Sequence, residues 1–330
     1  MIYNTDSEFT QHGGNLSFIA NNFPQAPRPF IDLSTGINPY AYPLKISSEA
    51  AHRLADVEEM SEARNAAASY YGTKPENINL ASGMQPLMFA LAALRLQKYG
   101  IANIAILSPT YSEYKKLWRA AGHKVINVKN IDELAQADVA IICNPNNPDG
   151  KIYSPEKLLL LKNNWLIVDE SFADLSPHPS PLPEGEGIIV MRSCGKFFGI
   201  AGLRVSAAIA AKEISEYLRI VVGDWSISTQ ICLALPTMFA DNTWAEKTRI
   251  LLARESKVWR NILAQYFTTI GYTSLFTLVE SDDANSWYEH LAAQGILVRK
   301  FAYNKRWLRF GLPNFADLER IKTVLRNDKI

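Results

Sequence analysis

The sequence predicts an α/β protein, with a mainly parallel seven-stranded sheet in a large domain and a small α+β domain after it. Three observations carry this. Short apolar runs alternate with helical patterns through residues 78–222, and such alternation builds parallel sheets covered by helices on both faces. The alternation breaks near Asn242 and a mixed pattern follows. The chain has 330 residues, nearly half of them apolar and a fifth charged, enough to bury a large core and to form two unequal domains.

Taken in order, residues 1–43 show little regular patterning and are expected to pack on the small domain or at an interface. The large domain is expected over 44–241. Its candidate strands are 78–81, 103–107, 124–128, 138–143, 165–169, 187–192 and 205–210, and its candidate helices are 85–99, 112–121, 155–163 and 212–222. The small domain, 242–330, opens with a helical pattern over 244–267. A strand over 272–280, a helix over 284–294, strands over 297–302 and 307–312 and a last helix from Asn314 complete it. The stretch 176–187 is rich in prolines, which cannot supply ladder or helix donors, and it reads as a solvent-exposed loop.

Several function classes fall away. A formal charge of +1 argues against a dedicated nucleic-acid or polybasic membrane surface. Cys143, Cys194 and Cys232 are well separated and form no C-x-x-C pair, so neither a disulfide frame nor a cysteine zinc site is suggested, and no metal is expected. The first fourteen residues are polar, without the apolar core of a signal peptide. No apolar stretch reaches membrane-spanning length. The cytoplasm is the expected compartment.

In sheets of this kind chemistry collects in the loops beyond the carboxyl ends of the strands. The most informative run is Met191 to Arg204, with Lys196 at its centre, Ser193 three residues before and Arg204 eight after, and glycines between. A neutral lysine amine can form an imine with an aldehyde cofactor, and a hydroxyl and a guanidinium are suited to hold a phosphate. Four further sets fall after other strands: Ser82-Gly83-Met84, Ser108 to Tyr114, Cys143 to Gly150, and Val168 to Phe172 with Asp169. A glycine at a helix start lets phosphate approach backbone N–H groups. Alone, each has a plainer reading: a surface lysine, a capping carboxylate, an ordinary Asn-Pro-Gly turn, a half-buried tyrosine, a surface ion pair. Their joint occurrence in this order favours a cofactor site.

The Lys196 run resembles the lysine segment of the aspartate-aminotransferase superfamily, whose members use pyridoxal 5′-phosphate and share the fold type I of PLP-dependent transferases. The resemblance implies that Lys196 carries the cofactor and that Arg204, Ser193 and the Ser82-Gly83-Met84 turn hold its phosphate. It implies that Asp169 pairs with the ring nitrogen, that Tyr111 stacks on the ring and that Asn147 donates to its O3′ oxygen. Arg309, in Trp307-Leu308-Arg309-Phe310-Gly311, matches the arginine that binds the substrate carboxylate, and Arg299 lies ten residues earlier. Gln11-His12-Gly13-Gly14-Asn15 and Ile31 to Pro39 narrow the match. They look like the threonine-phosphate decarboxylase family of cobalamin biosynthesis.

That family's implied reaction is loss of CO2 from L-threonine O-3-phosphate, giving (R)-1-amino-2-propanol O-2-phosphate. Its substrate clamp is expected from His12, Arg299 and Arg309, with Asn147 facing both cofactor and substrate. The cofactor chemistry breaks whichever α-carbon bond stands perpendicular to the ring, and Lys196 is the expected acid that returns a proton there. A homodimer is expected by resemblance. The main alternative is an aminotransferase of the histidinol-phosphate type, the nearest relatives of the family. Three departures from the usual patterns stand out: Asp149 replaces the threonine of the Asn-Pro-x-Gly turn, and Phe172 and Leu54 stand where histidinol-phosphate aminotransferases carry tyrosines. A binding module on the same fold is disfavoured by the intact Lys196, Asp169, Asn147 and Arg204. A phenol at 172 would donate to O3′ and favour the unprotonated imine. Phe172→Tyr should therefore lower the pH at which the bound cofactor's visible absorbance changes, and a spectrophotometric titration that finds it unchanged or raised would count against the assignment of Phe172.

Overall fold

The computed structural model describes residues 13–176 and 187–327. The strands are β1 (Ile31–Asp32), β2 (Ile78–Ala81), β3 (Asn103–Leu107), β4 (Lys124–Val128), β5 (Val139–Cys143), β6 (Trp165–Asp169), β7 (Ile188–Ser193), β8 (Ser206–Ile209), β9 (Thr268–Thr273), β10 (Phe276–Glu280), β11 (Ile296–Leu297), β12 (Arg299–Phe301) and β13 (Asn304–Gly311). Two compact units are built from them. One comprises Ala41–Asn147 and Lys151–Lys247, the other Met1–Tyr40, Pro148–Gly150 and Thr248–Ile330. The division falls inside the helix Asn242–Leu263, so the first turns of that helix and the aromatic Trp244 belong with the larger unit.

The larger unit holds a seven-stranded sheet in the order β2-β8-β7-β6-β5-β3-β4. All neighbours run parallel except β8, which is antiparallel to both β2 and β7. Every residue of β5 and β6 is buried, and this explains their unbroken apolar runs: central parallel strands have no solvent face. Ile141, Ile167, Ile189 and Met191 of the sheet share one core with Leu87 and Leu91 of the helix Met84–Tyr99 and Leu218 of Lys212–Val222. Trp118 is fully buried there, its indole N–H directed at the Met88 sulfur. Each such large side chain contributes roughly 1.5–3 kcal/mol by leaving water.

Two helices of this unit escape a pattern-based reading. Val57–Tyr71 buries mainly small residues, Ala63, Ala67 and Ala68, so it lacks a strong apolar stripe, although Asp56 and Glu59 form a capping box at its start. Thr229–Ala240 contains Pro236, a residue that ordinarily argues against a helix interior. The helix expected over 155–163 is shorter, Pro155–Leu159.

The smaller unit has a four-stranded antiparallel sheet, β12-β13-β10-β9, and a parallel pair, β1-β11. The single strand expected over 272–280 is a hairpin. The chain reverses at Ser274 and Leu275, where the Thr273 hydroxyl accepts from the Leu275 N–H at 3.1 Å. No Gly, Pro or Asn marks that turn, so the β-prone run reads as unbroken. The N-terminal segment belongs to this unit, in which β1 pairs with β11 and Leu16–Asn22 forms a short helix. Arg320 ties this segment down by donating to the carbonyls of Pro27 and Pro29. Trp259 fills the core and donates to the Gly311 carbonyl at 3.1 Å. No helix among the described residues is long and apolar enough to cross a membrane.

Pro148–Gly150 joins the smaller unit by backbone contact with β9. Gly150 has φ +70°, and a Cβ there would lie 2.0 Å from the Tyr272 carbonyl oxygen. Reciprocally, a Cβ on Gly271 would meet the Asp149 carbonyl at 1.9 Å. Gly150→Ala combines a left-handed backbone with a collision and should cost about 1–3 kcal/mol. Thermal unfolding checks this, and a midpoint equal to that of the parent would show that the turn can move away.

Candidate active site

Strand direction assembles the larger unit's site. Ser206, the first residue of β8, lies opposite both Ala81 at the end of β2 and Ser193 at the end of β7. Asp169 at the end of β6 lies opposite Met191 of β7 and Cys143 at the end of β5. One edge of the sheet therefore carries the residues that follow β2, β5, β6 and β7 and those that precede β8. Every cofactor residue expected from the sequence falls on this edge or in the adjoining loops.

Gly83 caps the helix Met84–Tyr99 with φ +92°. A Cβ on it would fall 2.4 Å from Arg204 Nη2, so only glycine lets the guanidinium lie against the start of this helix. Arg204 itself has φ 55°, the one non-glycine residue with positive φ among those described. Such a backbone is sparsely populated and is held by its surroundings. A guanidinium beside free helix N–H groups is an anion cradle.

Lys196 lies in the short helix Cys194–Phe197, which is fixed from both sides. The Cys194 N–H donates to the Val205 carbonyl at 3.2 Å. Phe197 and Phe198 are fully buried, and Phe198 stacks on Trp244 with centroids 5.5 Å apart. Tyr70 and Phe239 also pack on Phe198. The Lys196 Nζ lies 5.8 Å from the centre of the Phe172 ring.

Asp169 is buried, and its carboxylate accepts from the Ser171 N–H at 2.9 Å, the Ser171 hydroxyl at 2.5 Å and the Tyr114 hydroxyl. Burial pushes this carboxyl up, while those donors and the Lys196 charge act to keep it ionised. Tyr111 lies edge-on to Tyr114 with centroids 5.4 Å apart, which connects the aromatic residue expected at the ring to the carboxylate expected at the ring nitrogen. Asn147 follows Asn146, whose side chain donates to the Pro109 carbonyl at 3.0 Å, linking the Asn-Pro loop to the Tyr111 loop. Sequence reasoning missed Tyr114 and Ser171. The only signal for them is position: Tyr114 is three residues beyond Tyr111, and Ser171 is two residues after Asp169.

Beside Asp169 lies a buried ionic group. Arg192 is 2% exposed and meets Glu170 at 2.5 Å and Asp174 at 3.5 Å, with the Tyr71 ring 5.1 Å away. These residues adjoin Asp169 on one side and Ser193 on the other, so the pairing ties the ends of β6 and β7 together. Burial pushes Glu170 up to about 7; Arg192 opposes the shift, and Asp174 and Asp169 add to it.

In the smaller unit, Arg299 of β12 lies directly opposite Arg309 of β13. Like charges in that position repel. Arg309 is 3% exposed, donates to the Ser34 carbonyl at 2.8 Å and lies over the Phe276 ring. Burial, and then the Arg299 charge, hold its guanidinium down to about 9, against Tyr303 and Asp32. Arg299 also lines a cavity of about 550 Å³ with Ser34, Asn15 and Lys300. Two adjacent arginines of this kind form a receptor for a ligand with anionic groups. His12, the third residue expected in the substrate clamp, lies outside the described residues, as do residues 177–186 of the Pro-rich stretch.

The larger unit's donor set fits pyridoxal phosphate. The space over Gly83 that a Cβ would fill holds Arg204 at a helix start, the place for a phosphate; a buried carboxylate suits a protonated ring nitrogen; a lysine amine lies at the same sheet edge. Glu170 adds a pH dependence. Its unfolded carboxyl ionises near 4.5 and its folded one near 7, so the folded state holds the extra proton between these values and loses stability as pH rises through them. Glu170→Gln should flatten the fall in unfolding midpoint between about pH 5 and 7.5. An unchanged slope in differential scanning would assign that fall to another group.

The aminotransferase class I and II family matches residues 28–325. A threonine-phosphate decarboxylase from Sinorhizobium sp is 35% identical over 326 residues, 95% of this chain and 97% of the relative. The threonine-phosphate decarboxylase of Pseudomonas aeruginosa is 32% identical, covering 92% of this chain and 93% of its own. Among solved structures, histidinol-phosphate aminotransferase from Sinorhizobium meliloti, in complex with pyridoxal-5′-phosphate, superposes with a TM-score of 0.76 over 99% of this chain and 98% of that one, at 16% identity. The fold is that of the type I PLP-dependent transferases.

Proposed function

The chain belongs to the class I and II aminotransferase family, and from this we propose that it is a PLP-dependent lyase that removes CO2 from L-threonine O-3-phosphate, leaving (R)-1-amino-2-propanol O-2-phosphate. The observation that carries the substrate class is the cross-strand pair Arg299 and Arg309, one of them buried. Such a pair suits a substrate with a phosphate beside its carboxylate, and relatives of nearly the same length carry the name of this decarboxylase.

When bound, the cofactor supplies an electron sink for a bond broken at the substrate's α-carbon. The residues of this chain do the rest. Arg204, Ser193, the Ser82 side chain and the Met84 N–H would hold the phosphate, while Gly83, whose own N–H is given to the Ala81 carbonyl at 2.7 Å, leaves the space in which Arg204 lies. Asp169, whose ionised form is favoured by the Ser171 and Tyr114 donors against the upward push of burial, would maintain a proton on the ring nitrogen. Tyr111 would cover the ring face and Asn147 would donate to O3′. Lys196 Nζ would be the attachment point and the acid that returns a proton to the α-carbon after CO2 has left. Arg299 and Arg309, with His12, grip the substrate's anionic groups; the orientation they impose decides whether the carboxylate or the α-hydrogen is lost, because binding energy away from the reacting bond sets its geometry. The same reading makes the enzyme a cytoplasmic homodimer with no nucleic-acid or membrane partner.

Incubation of the PLP-loaded protein with L-threonine O-3-phosphate, without any 2-oxo acid, should release one equivalent of CO2 and yield aminopropanol phosphate by mass. Arg309→Ala should lower kcat/KM by roughly a hundredfold, in line with the 2–5 kcal/mol lost when a buried charge partner is removed. Turnover that depends on a 2-oxo acid and releases no CO2 would place the chain with the aminotransferases instead.

A further inference from the structure

In the smaller unit the glycine pair Gly13-Gly14 packs on Ser34, which is 2% exposed. Ser34 follows β1, and the residues around it are tied to the ends of two other strands. The Leu33 N–H donates to the Leu297 carbonyl at 2.7 Å, and the Gly311 N–H donates to the Leu33 carbonyl at 2.6 Å. A Cβ on Gly311 would lie 2.4 Å from the Thr35 carbonyl oxygen, so the end of β13 lies close against this backbone. Ser34 therefore stands on a platform made by β1, β11 and β13.

Each polar atom of Ser34 is engaged. Its N–H donates to Asp32 Oδ1 at 2.8 Å, and its hydroxyl donates to the same oxygen at 2.5 Å. The hydroxyl oxygen accepts from the Gly14 N–H at 2.8 Å. Its carbonyl accepts from Arg309 Nη2 at 2.8 Å. A hydroxyl has one donor and two acceptor positions. Giving the donor to a carboxylate strengthens the oxygen as an acceptor for Gly14. Both glycines are required by this geometry. A Cβ on Gly13 would fall 2.4 Å from the Ser34 carbonyl oxygen and 3.0 Å from its hydroxyl oxygen. Gly14 has φ +93°, a region that glycine enters without steric cost. One glycine makes room for the carbonyl, and the other presents its N–H to the hydroxyl.

What this does to Arg309 follows from charge. A buried guanidinium needs fixed acceptors, yet a carboxylate acceptor would cancel the charge that an anionic ligand uses. A backbone carbonyl fixes the direction of an N–H and carries no net charge. Asp32 lies close by, but its Oδ1 is bound twice by Ser34. The Ser34 contact therefore aims the guanidinium without neutralising it. Ser34 and Gly13 also line the cavity of about 550 Å³ that Arg299 enters.

We propose that Gly13, Gly14 and Ser34 form a positioning device for the substrate arginine: the glycine pair and Asp32 lock Ser34 in place, and the Ser34 carbonyl aims Arg309 at an anionic group of the substrate. None of the three is a catalytic residue; they act through Arg309. The proposal rests on the reading of Arg309 as a substrate ligand. Gly13 directly follows His12 in the chain, so the run that carries one expected clamp residue also places another.

The test is a double-mutant cycle on the PLP-loaded protein with L-threonine O-3-phosphate, followed by CO2 release. The parent's own turnover checks the substrate reading first. Gly13→Ala and Ser34→Ala should each lower kcat/KM about tenfold, mainly by raising KM, as expected when a hydrogen bond to a charged group is displaced. Affinity for PLP and the visible absorbance of the bound cofactor should stay as in the parent. In an Arg309→Ala background the same two substitutions should change kcat/KM by less than about twofold, because residues that act through one contact are not additive. A tenfold fall in both backgrounds overturns the proposal, since the glycines and Ser34 would then support the unit at large. So does a Ser34→Ala protein with the parent's kcat/KM, or a loss of PLP affinity that matches the fall. If Gly13→Ala fails to fold, Ser34→Ala completes the cycle alone. A parent that turns over only with a 2-oxo acid sinks the decarboxylase reading and not this one, which the same cycle then tests on the amino donor it accepts.

Discussion

The larger unit's site depends on the contact between Gly83 and Arg204. The guanidinium occupies the space a side chain at residue 83 would need, and it reaches that space because β8 runs against its neighbours. If β8 ran parallel to them, Arg204 would precede it at the far edge of the sheet. The reversed strand brings the residues before β8 to the edge where β2, β6 and β7 end. A left-handed backbone at Arg204 and a positive φ at Gly83 are the local conditions of that arrangement. One requires the surrounding structure to hold it, and the other requires the absence of a Cβ.

The same edge gathers charge that the fold must support. Asp169 is buried, which pushes its carboxyl up, and the Ser171 N–H, the Ser171 hydroxyl and the Tyr114 hydroxyl oppose that push; next to it Arg192 is set between Glu170 and Asp174. Buried ion pairs rarely add net stability, because desolvation offsets their attraction. What this one does is mechanical: it joins the residues that follow β6 to those that end β7, and so holds Asp169 and the Lys196 segment in register. The aromatic packing of Phe197 and Phe198 secures the other side of that segment.

The smaller unit uses repulsion instead. Arg299 and Arg309 face each other across a strand pair with Arg309 buried enough to lower its pKa. There like charges are kept close by packing, and an anion is the natural means of relieving the strain. An arginine suits this use because its guanidinium stays charged where a lysine would lose its proton.

The sequence by itself determined the α/β class and most strand positions, because these rest on local signals, and the order of its motifs carried the family resemblance that names the cofactor. Apolar runs of strand length, a lysine flanked by serine and arginine, and an Asp at the end of the Trp165–Asp169 run are all visible along the chain. Helices with alanine contact faces or an internal proline, such as Val57–Tyr71 and Thr229–Ala240, were not legible, since their stability comes from tertiary packing and not from a periodic stripe. Tyr114 was hidden for a related reason: a hydroxyl becomes a carboxylate partner only through its distance, and distance across 55 residues is not written in composition; Ser171, two residues from Asp169, is brought back to it only by the turn after β6. Tertiary structure alone decided the direction of β8, the contact of Arg204 with Gly83, and the opposition of Arg299 to Arg309. Each depends on register and burial, which strands acquire from their neighbours.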